Sequence, residues 1–285
     1  MGKMKVSKLH GLGNDFLIAA SEEIGLPGVS FGSLAESWCR RRTGIGADGV
    51  IFYQPTVGDP EADVSALIFN ADGSRAEMSG NGTRCLAAWL LHSGILDAPQ
   101  IRIRTVSGVK SFVLRGRDGR TFVFESTLGV PVTEPSRIPV LLEAQSQPLI
   151  GYPLAVDTGV VRVTVTSMGN PHCSTFWPEV SEAPVDMLGP ALERHPCFPN
   201  RTNVEFVQVL DRHNIRVRFW ERGVGPTLAS GTGSCAAAVA AMLNRLADSP
   251  VRVEVVEGSM MVQWQPPGEL SLTGPAEYIC SVEFP

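Results

Sequence analysis

Asn70-Ala-Asp-Gly-Ser-Arg-Ala-Glu-Met-Ser79-Gly-Asn-Gly82 runs straight into the apolar stretch Thr83-Arg-Cys-Leu-Ala-Ala88. The same plan returns as Glu221-Arg-Gly-Val-Gly-Pro-Thr-Leu-Ala-Ser230-Gly-Thr-Gly233, followed by Ser234-Cys-Ala-Ala-Ala238. Asn70 to Glu221 is 151 positions (221 − 70), and Ser79 to Ser230 is again 151 (230 − 79). An earlier echo pairs Gly13-Asn14-Asp15 with Gly169-Asn170-Pro171. Three matched pairs in one order imply an internal duplication. Each half supplies a Gly-Asn turn, a strand, a polar turn, and then Ser-Gly-x-Gly opening an apolar helix. Two similar domains are therefore expected, with the site in the cleft between them.

Outward from these segments, short β-branched runs are separated by Gly, Pro and Asp. They are 66–69, 101–106, 121–124, 161–165, 204–209, 215–219 and 251–256, and their length and spacing predict strands in a largely antiparallel arrangement. Helices are predicted over 82–92 and 233–246, both rich in Ala and Leu, and more weakly over 34–41. The fold class is thus mixed α/β (α+β). At 285 residues the chain exceeds a single core. The expected domains are 1–130, joined by a returning C-terminal strand at about 275–285, and 131–274, with the linker in the Pro-rich stretch 131–148.

Composition narrows the function. The net charge is −5 and Lys and Arg form no long run, which argues against nucleic acid or an anionic membrane as partner. No apolar stretch approaches the roughly 18 residues of a membrane span. The start, residues 1–10, lacks the apolar core of a signal peptide, so a cytoplasmic location is expected. Six cysteines, Cys39, Cys85, Cys173, Cys197, Cys235 and Cys280, show no CxxC spacing, and the five histidines form no HxxxH or HExxH pair. Neither a disulfide framework nor a metal site is expected. His10 is expected to orient the Gly-Asn turn, and His92 and His213 to lie on the surface.

The first turn of a helix leaves backbone N–H groups unpaired, and its dipole favours negative charge there. Glycine lets a ligand approach that backbone closely. Gly80-Asn81-Gly82 and Gly231-Thr232-Gly233 offer this arrangement twice, so two helix N-termini could hold one carboxylate, with Ser79 and Ser230 flanking it on opposite faces. Taken alone, each serine reads as an ordinary N-cap; the duplication and the polar residues around it argue for more. No GxxxxGK[ST] phosphate loop is present, and neither Gly-x-Gly has the third glycine of a dinucleotide fingerprint.

Five ordered motifs then carry a resemblance over nearly the whole chain. They are Lys8-Leu-His-Gly-Leu-Gly-Asn-Asp-Phe16, Gly44-Ile-Gly-Ala-Asp-Gly49, Phe69-Asn-Ala-Asp-Gly73 with Ser79-Gly-Asn-Gly-Thr-Arg-Cys85, Ser167-Met-Gly-Asn-Pro-His172, and Arg201-Thr-Asn-Val204 with Glu221-Arg-Gly223 and Ala229-Ser-Gly-Thr-Gly233. In these the chain resembles the diaminopimelate epimerase family. The resemblance implies two pseudo-symmetric domains, each a β-barrel-like sheet around a central helix, and an isomerase that interconverts LL- and meso-2,6-diaminopimelate without an organic cofactor. In that chemistry a thiolate removes the α-proton and a thiol on the opposite face returns one, while helix N-termini stabilise the carboxylate as charge builds. Asn14, Asn70, Asn170, Asn203, Glu221 and Arg222 match substrate-holding positions, and His172 matches a histidine near the catalytic thiols. A homodimer is common in that family.

The chain departs from the family where the chemistry is concentrated. Ser79 and Ser230 stand where the family has its two catalytic cysteines. Cys85 and Cys235 lie six and five residues further on and are expected to be buried structural residues. Three readings of the serines stay open: replacements that trap a complex, a variant whose serines are activated by His172 or another base, and a scaffold that only binds an amino acid or isomerises a different one.

Overall fold

The computed structural model describes residues 4–23, 30–142 and 148–284. By its internal contacts the chain divides into two units, residues 1–126 with 274–285, and residues 127–273.

In the first unit the order is β1 (Met4–Gly11), β2 (Asn14–Ala20), α1 (Phe31–Cys39), β3 (Gly49–Pro55), β4 (Val64–Asn70), β5 (Arg75–Ala76), α2 (Gly80–His92), β6 (Gln100–Thr105), β7 (Gly108–Asp118) and β8 (Thr121–Gly129). The second unit holds β9 (Tyr152–Val156), β10 (Gly159–Ser167), β11 (Pro171–Phe176), α3 (Val185–Glu193), β12 (Asn203–Asp211), β13 (Asn214–Glu221), β14 (Gly225–Thr227), α4 (Gly231–Leu243), β15 (Val251–Val255) and β16 (Gly258–Trp264). The last strand, β17 (Leu270–Phe284), begins in the second unit and ends in the first.

Strand pairing repeats between the units. In the first, β1–β2, β3–β4, β6–β7 and β7–β8 are antiparallel, while β2–β3 and β4–β6 are parallel. In the second, β10–β11, β12–β13, β15–β16 and β16–β17 are antiparallel, while β11–β12 and β13–β15 are parallel. The alternation is the same, strand for strand. A flanking strand adds antiparallel to the first member of each set, β17 on β1 and β9 on β10. Because β17 also pairs with β8, the first unit closes into an eight-stranded barrel-like sheet.

Each sheet wraps a helix that is apolar nearly all round, as a helix enclosed on every side must be. Cys85 to Leu90 of α2 are buried among Leu9, Ile18, Ile51, Ile101 and Phe124. Gly233 to Ala241 of α4 are likewise buried, with no polar face in between. The two short helices lie on other faces: α1 packs on β3 and β4, and α3 on β12 and β13.

Five of the seven expected strand runs fall within observed strands, and 101–106 and 251–256 overrun theirs by one residue; four runs overlap parallel pairs within the largely antiparallel arrangement. All three expected helices differ from expectation at one end or both. The α2 and α4 helices begin two residues earlier, at the first glycine, because Ser79 and Ser230 cap them. The α4 helix ends at Leu243, since Arg245 takes a left-handed conformation (φ 59°) that an L-residue helix cannot continue. The α1 helix starts at Phe31, where the Ser30 hydroxyl accepts the Ser33 N–H at 3.1 Å. His92 is half-buried rather than superficial, its ring stacked 4.0 Å from that of Tyr278. Within the expected linker, residues 143–147 lie outside the described residues, and Val132 bridges to Ser167. Among the described residues, no helix is long and apolar enough to cross a membrane.

Candidate active site

The first half-site is built where α2 meets the β1–β2 turn. The Ser79 hydroxyl oxygen accepts the Gly82 N–H at 3.1 Å, which is the N-cap geometry. Gly80 has no protein atom within 4 Å of where a side chain would begin, so neither packing nor a positive φ demands glycine there. Gly82 differs: a Cβ would lie 3.0 Å from Ile51 and 3.1 Å from Phe16. The first glycine keeps space open above the helix end, and the second lets the helix settle against the barrel wall.

A directed chain of hydrogen bonds orients the amides beside it. Buried Arg84 donates from Nη2 to Asn81 Oδ1 at 2.7 Å and from Nε to the Pro275 carbonyl at 2.9 Å. Asn81 Nδ2 donates to Asn14 Oδ1 at 3.1 Å, and Asn14 Nδ2 donates to Asp48 Oδ2 at 2.8 Å. Asp48 also accepts Arg41 Nη2 at 2.6 Å and the Asp15 N–H at 3.1 Å. Burial pushes the Asp15 carboxyl up, but bonds from Arg41 and Lys8 prevail and hold it below its ordinary value. Every amide atom of Asn14 and Asn81 is thus assigned a direction by a charged group at one end of the chain. Asn70 is more exposed and is fixed by Ser74, through a side-chain bond of 2.9 Å.

The second half-site follows the same plan with one addition. Ser230 accepts the Gly233 N–H at 3.3 Å and is itself a donor, its hydroxyl lying 3.2 Å from Glu221 Oε2. The Thr227 hydroxyl donates to Glu221 Oε1 at 2.7 Å. Burial raises the Glu221 carboxyl above its ordinary value, and the two hydroxyls only partly offset this. A carboxyl so placed takes up a proton more readily than an exposed one. Among the described residues Ser79 has no such carboxylate bonded to it.

His172 is fully buried, and both its ring nitrogens are engaged, Nδ1 with Glu205 Oε1 at 2.6 Å and Nε2 with Asn170 Oδ1 at 3.0 Å. Ser174 donates to the other Glu205 oxygen at 2.9 Å. The histidine therefore orients Asn170, while Ser230 donates its hydrogen bond to Glu221. Asn203 donates to the Pro171 carbonyl at 3.0 Å and accepts the Arg222 N–H at 3.0 Å, tying β11 to the turn after β13. The Arg222 guanidinium is exposed, with one nitrogen on the Asn200 carbonyl at 3.1 Å. Gly231 and Thr232 are partly exposed at the start of α4.

Cys85 and Cys235 are fully buried within their helices. Burial pushes the Cys85 thiol up to about 12, the opposite of an activated nucleophile. Arg84, Asp48, Thr227 and Glu205 were not singled out from sequence. The first two lie inside the quoted motifs, and Glu205 stands out as a lone acid in the apolar run after Asn203.

The family model described as diaminopimelate epimerase matches residues 6–129 and 164–279. The diaminopimelate epimerase of Pelotomaculum thermopropionicum is 42% identical over 282 residues, covering 99% of each chain. The chain belongs to the diaminopimelate epimerase family. The enzyme of that name from Moorella thermoacetica is 41% identical over 283 residues, again covering 99% of both chains. Among solved structures, a probable proline racemase from Agrobacterium radiobacter aligns with a TM-score of 0.70 at 16% identity, over 99% of this chain and 93% of that one. A phenazine biosynthesis protein from Bacillus anthracis aligns at 0.68 with 14% identity, over 100% of both. At such identities these two establish the fold alone. Family membership places the chain among the amino-acid epimerases, which are isomerases.

Proposed function

We propose that the chain interconverts LL- and meso-2,6-diaminopimelate by moving a proton at the α-carbon, with no organic cofactor. The observation that carries this reading is the pair of serine-capped, glycine-opened helix N-termini, each beside asparagine amides held in fixed directions. The reading requires both half-sites to act on one substrate. The free N–H groups of α2 and α4 would take the carboxylate of the reacting centre, where charge develops as the α-proton leaves. Asn14, Asn70, Asn81, Asn170 and Asn203 would orient the polar groups of the substrate, and Arg222, exposed and always charged, would take the distal carboxylate.

Proton transfer in this reading is unequal between the two faces. As the Ser230 oxygen takes the α-proton, its own proton can pass to Glu221, leaving a neutral hydroxyl and a neutral carboxyl. Ser79, delivering a proton from the other face, becomes an alkoxide supported by the Gly82 N–H. Exchange on the Ser230 face should therefore outrun inversion. The double serine favours one second reading, an amino-acid-binding protein that retains the ligand set without turnover. Incubation with LL- and meso-diaminopimelate in deuterium oxide separates the two, read as loss of the α-proton signal by NMR. Deuterium entry is expected. Tight calorimetric binding with no deuterium entry would refute turnover and leave the binding protein.

A further inference from the structure

Glu193 closes α3 with its side chain almost entirely buried, although it reaches no atom of the candidate catalytic set. Its carboxylate spans the turn that carries Arg222. Oε2 accepts the Trp220 indole N–H at 2.9 Å, and Oε1 accepts the Gly223 backbone N–H at 2.9 Å. Residues 220 and 223 bracket the pair Glu221-Arg222, and the turn is closed by the Val224 N–H on the Glu221 carbonyl at 3.0 Å. Gly223 is in the left-handed region (φ 76°), so the peptide aimed at Glu193 is fixed by a backbone geometry that few other residues accept.

Two further features show that this arrangement is specified. Gly189, inside α3, has no conformational reason to be glycine, yet a Cβ there would come within 2.5 Å of the Trp220 ring. The helix gives up side-chain packing so that the indole can lie against it and reach Glu193. The charge is also provided for. Burial alone would raise the Glu193 carboxyl, but the Trp220 and Gly223 donors, with Arg194 and Arg201 nearby, hold it below its ordinary value. Arg201 Nη1 lies 3.5 Å from Oε1. A buried carboxylate kept ionised and bonded at both ends of a short turn is a rigid brace, since leaving either donor unpaired costs its desolvation.

We infer that Glu193 is a positioning residue that holds the Glu221-Arg222 turn, and so sets the reach of Arg222 toward the second carboxylate of a dicarboxylate amino acid. The inference rests on the proposed role of Arg222 in binding that carboxylate. Glu193 thereby contributes to selection of substrates with a distal carboxylate without touching one. Glutamine at 193 would present an amide N–H to one of two N–H donors, so the brace is lost while volume is kept.

The test uses the full chain and meso-diaminopimelate as probe, with Glu193→Gln, Arg222→Ala and the double variant compared by calorimetry. Glu193→Gln is expected to weaken binding about tenfold to a hundredfold, the loss of one buried charge-assisted contact, and to add nothing further on the Arg222→Ala background. Where turnover is measurable, KM should rise while kcat changes little. Hydrogen exchange gives a readout independent of ligand: the Gly223 amide should lose protection in Glu193→Gln while the amides of α2 keep theirs. Trp220→Phe, which removes one arm only, should give a smaller loss of affinity, and keeps the test usable should Glu193→Gln fold poorly. Retained protection at Gly223, or an equal loss of affinity with and without Arg222, would overturn the inference. If Arg222→Ala alone leaves affinity unchanged, the proposed ligand contact falls instead, and the Gly223 amide still decides whether Glu193 braces the turn.

Discussion

Replacing Ser79 and Ser230 together by cysteine should raise epimerase activity by orders of magnitude. Each oxygen occupies a helix N-cap, accepting N–H bonds of 3.1 Å and 3.3 Å from Gly82 and Gly233. A thiol in that position ionises near neutrality, from an ordinary value of about 8.5. A serine hydroxyl lies several units higher; for a gap of about 5 units the base costs roughly 7 kcal/mol more at 1.36 kcal/mol per unit. Transition-state arithmetic turns that into about five decades of rate. The structure divides the gain unevenly. Ser230 already has Glu221 at 3.2 Å to take its proton, and a thiolate there would face a like charge. Ser79 has no carboxylate bonded to it among the described residues, so Ser79→Cys should give the larger single gain. The assay is α-proton exchange by NMR, with inversion followed by chiral chromatography on the same samples. A double variant that binds diaminopimelate but turns over no faster would refute the reasoning from ionisation. So would a larger gain from Ser230→Cys alone.

Gly80→Ala should leave unfolding free energy within about 1 kcal/mol of the parent, because nothing lies within 4 Å of the added carbon, yet weaken ligand binding by calorimetry. Gly82→Ala should destabilise by about 1–3 kcal/mol in a denaturant titration, since Ile51 and Phe16 occupy that space. Because burial raises the Glu221 carboxyl, between its ordinary and its raised value the folded state holds a proton that the unfolded state has released. The stability contributed by this group is full below its ordinary value and is lost as pH rises through the raised one. Glu221→Gln should therefore shrink the fall in Tm between acidic and neutral pH; an unchanged pH profile of Tm would show the carboxyl to be unperturbed.

What the sequence made legible follows from what repeats in it. The central helices announce themselves because each is apolar on every face and opens on Ser-Gly-x-Gly, a local pattern needing no partner to be read. The strands 204–209 and 215–219 are equally local. The parallel pairings β2–β3 and β13–β15 are not, because the residues they join lie about 30 to 40 positions apart. The α3 helix escaped notice because Gly189 and Pro190 read as breakers. The glycine is explained only by an indole that arrives from β13. At the site, motif spacing located the two serines and the asparagines, but not what each touches. The hydrogen bond from Ser230 to Glu221, and the enclosure of His172 by Glu205 and Asn170, depend on side-chain directions that spacing alone does not encode.

The two N-caps have a consequence for how such a chain could persist. Serine is among the preferred capping residues, whereas sulfur is a weak acceptor. An exchange of sulfur for oxygen at 79 and 230 therefore leaves the Gly82 and Gly233 amides at least as well satisfied. In the proposed reaction one atom in each half would serve both the architecture and the chemistry, and the two demands favour different elements. A lineage exchanging sulfur for oxygen there would lose no N-cap hydrogen bond. The loss would register only under selection for the reaction itself. A variant library sorted by thermal stability would on this account retain the serines and discard the thiols.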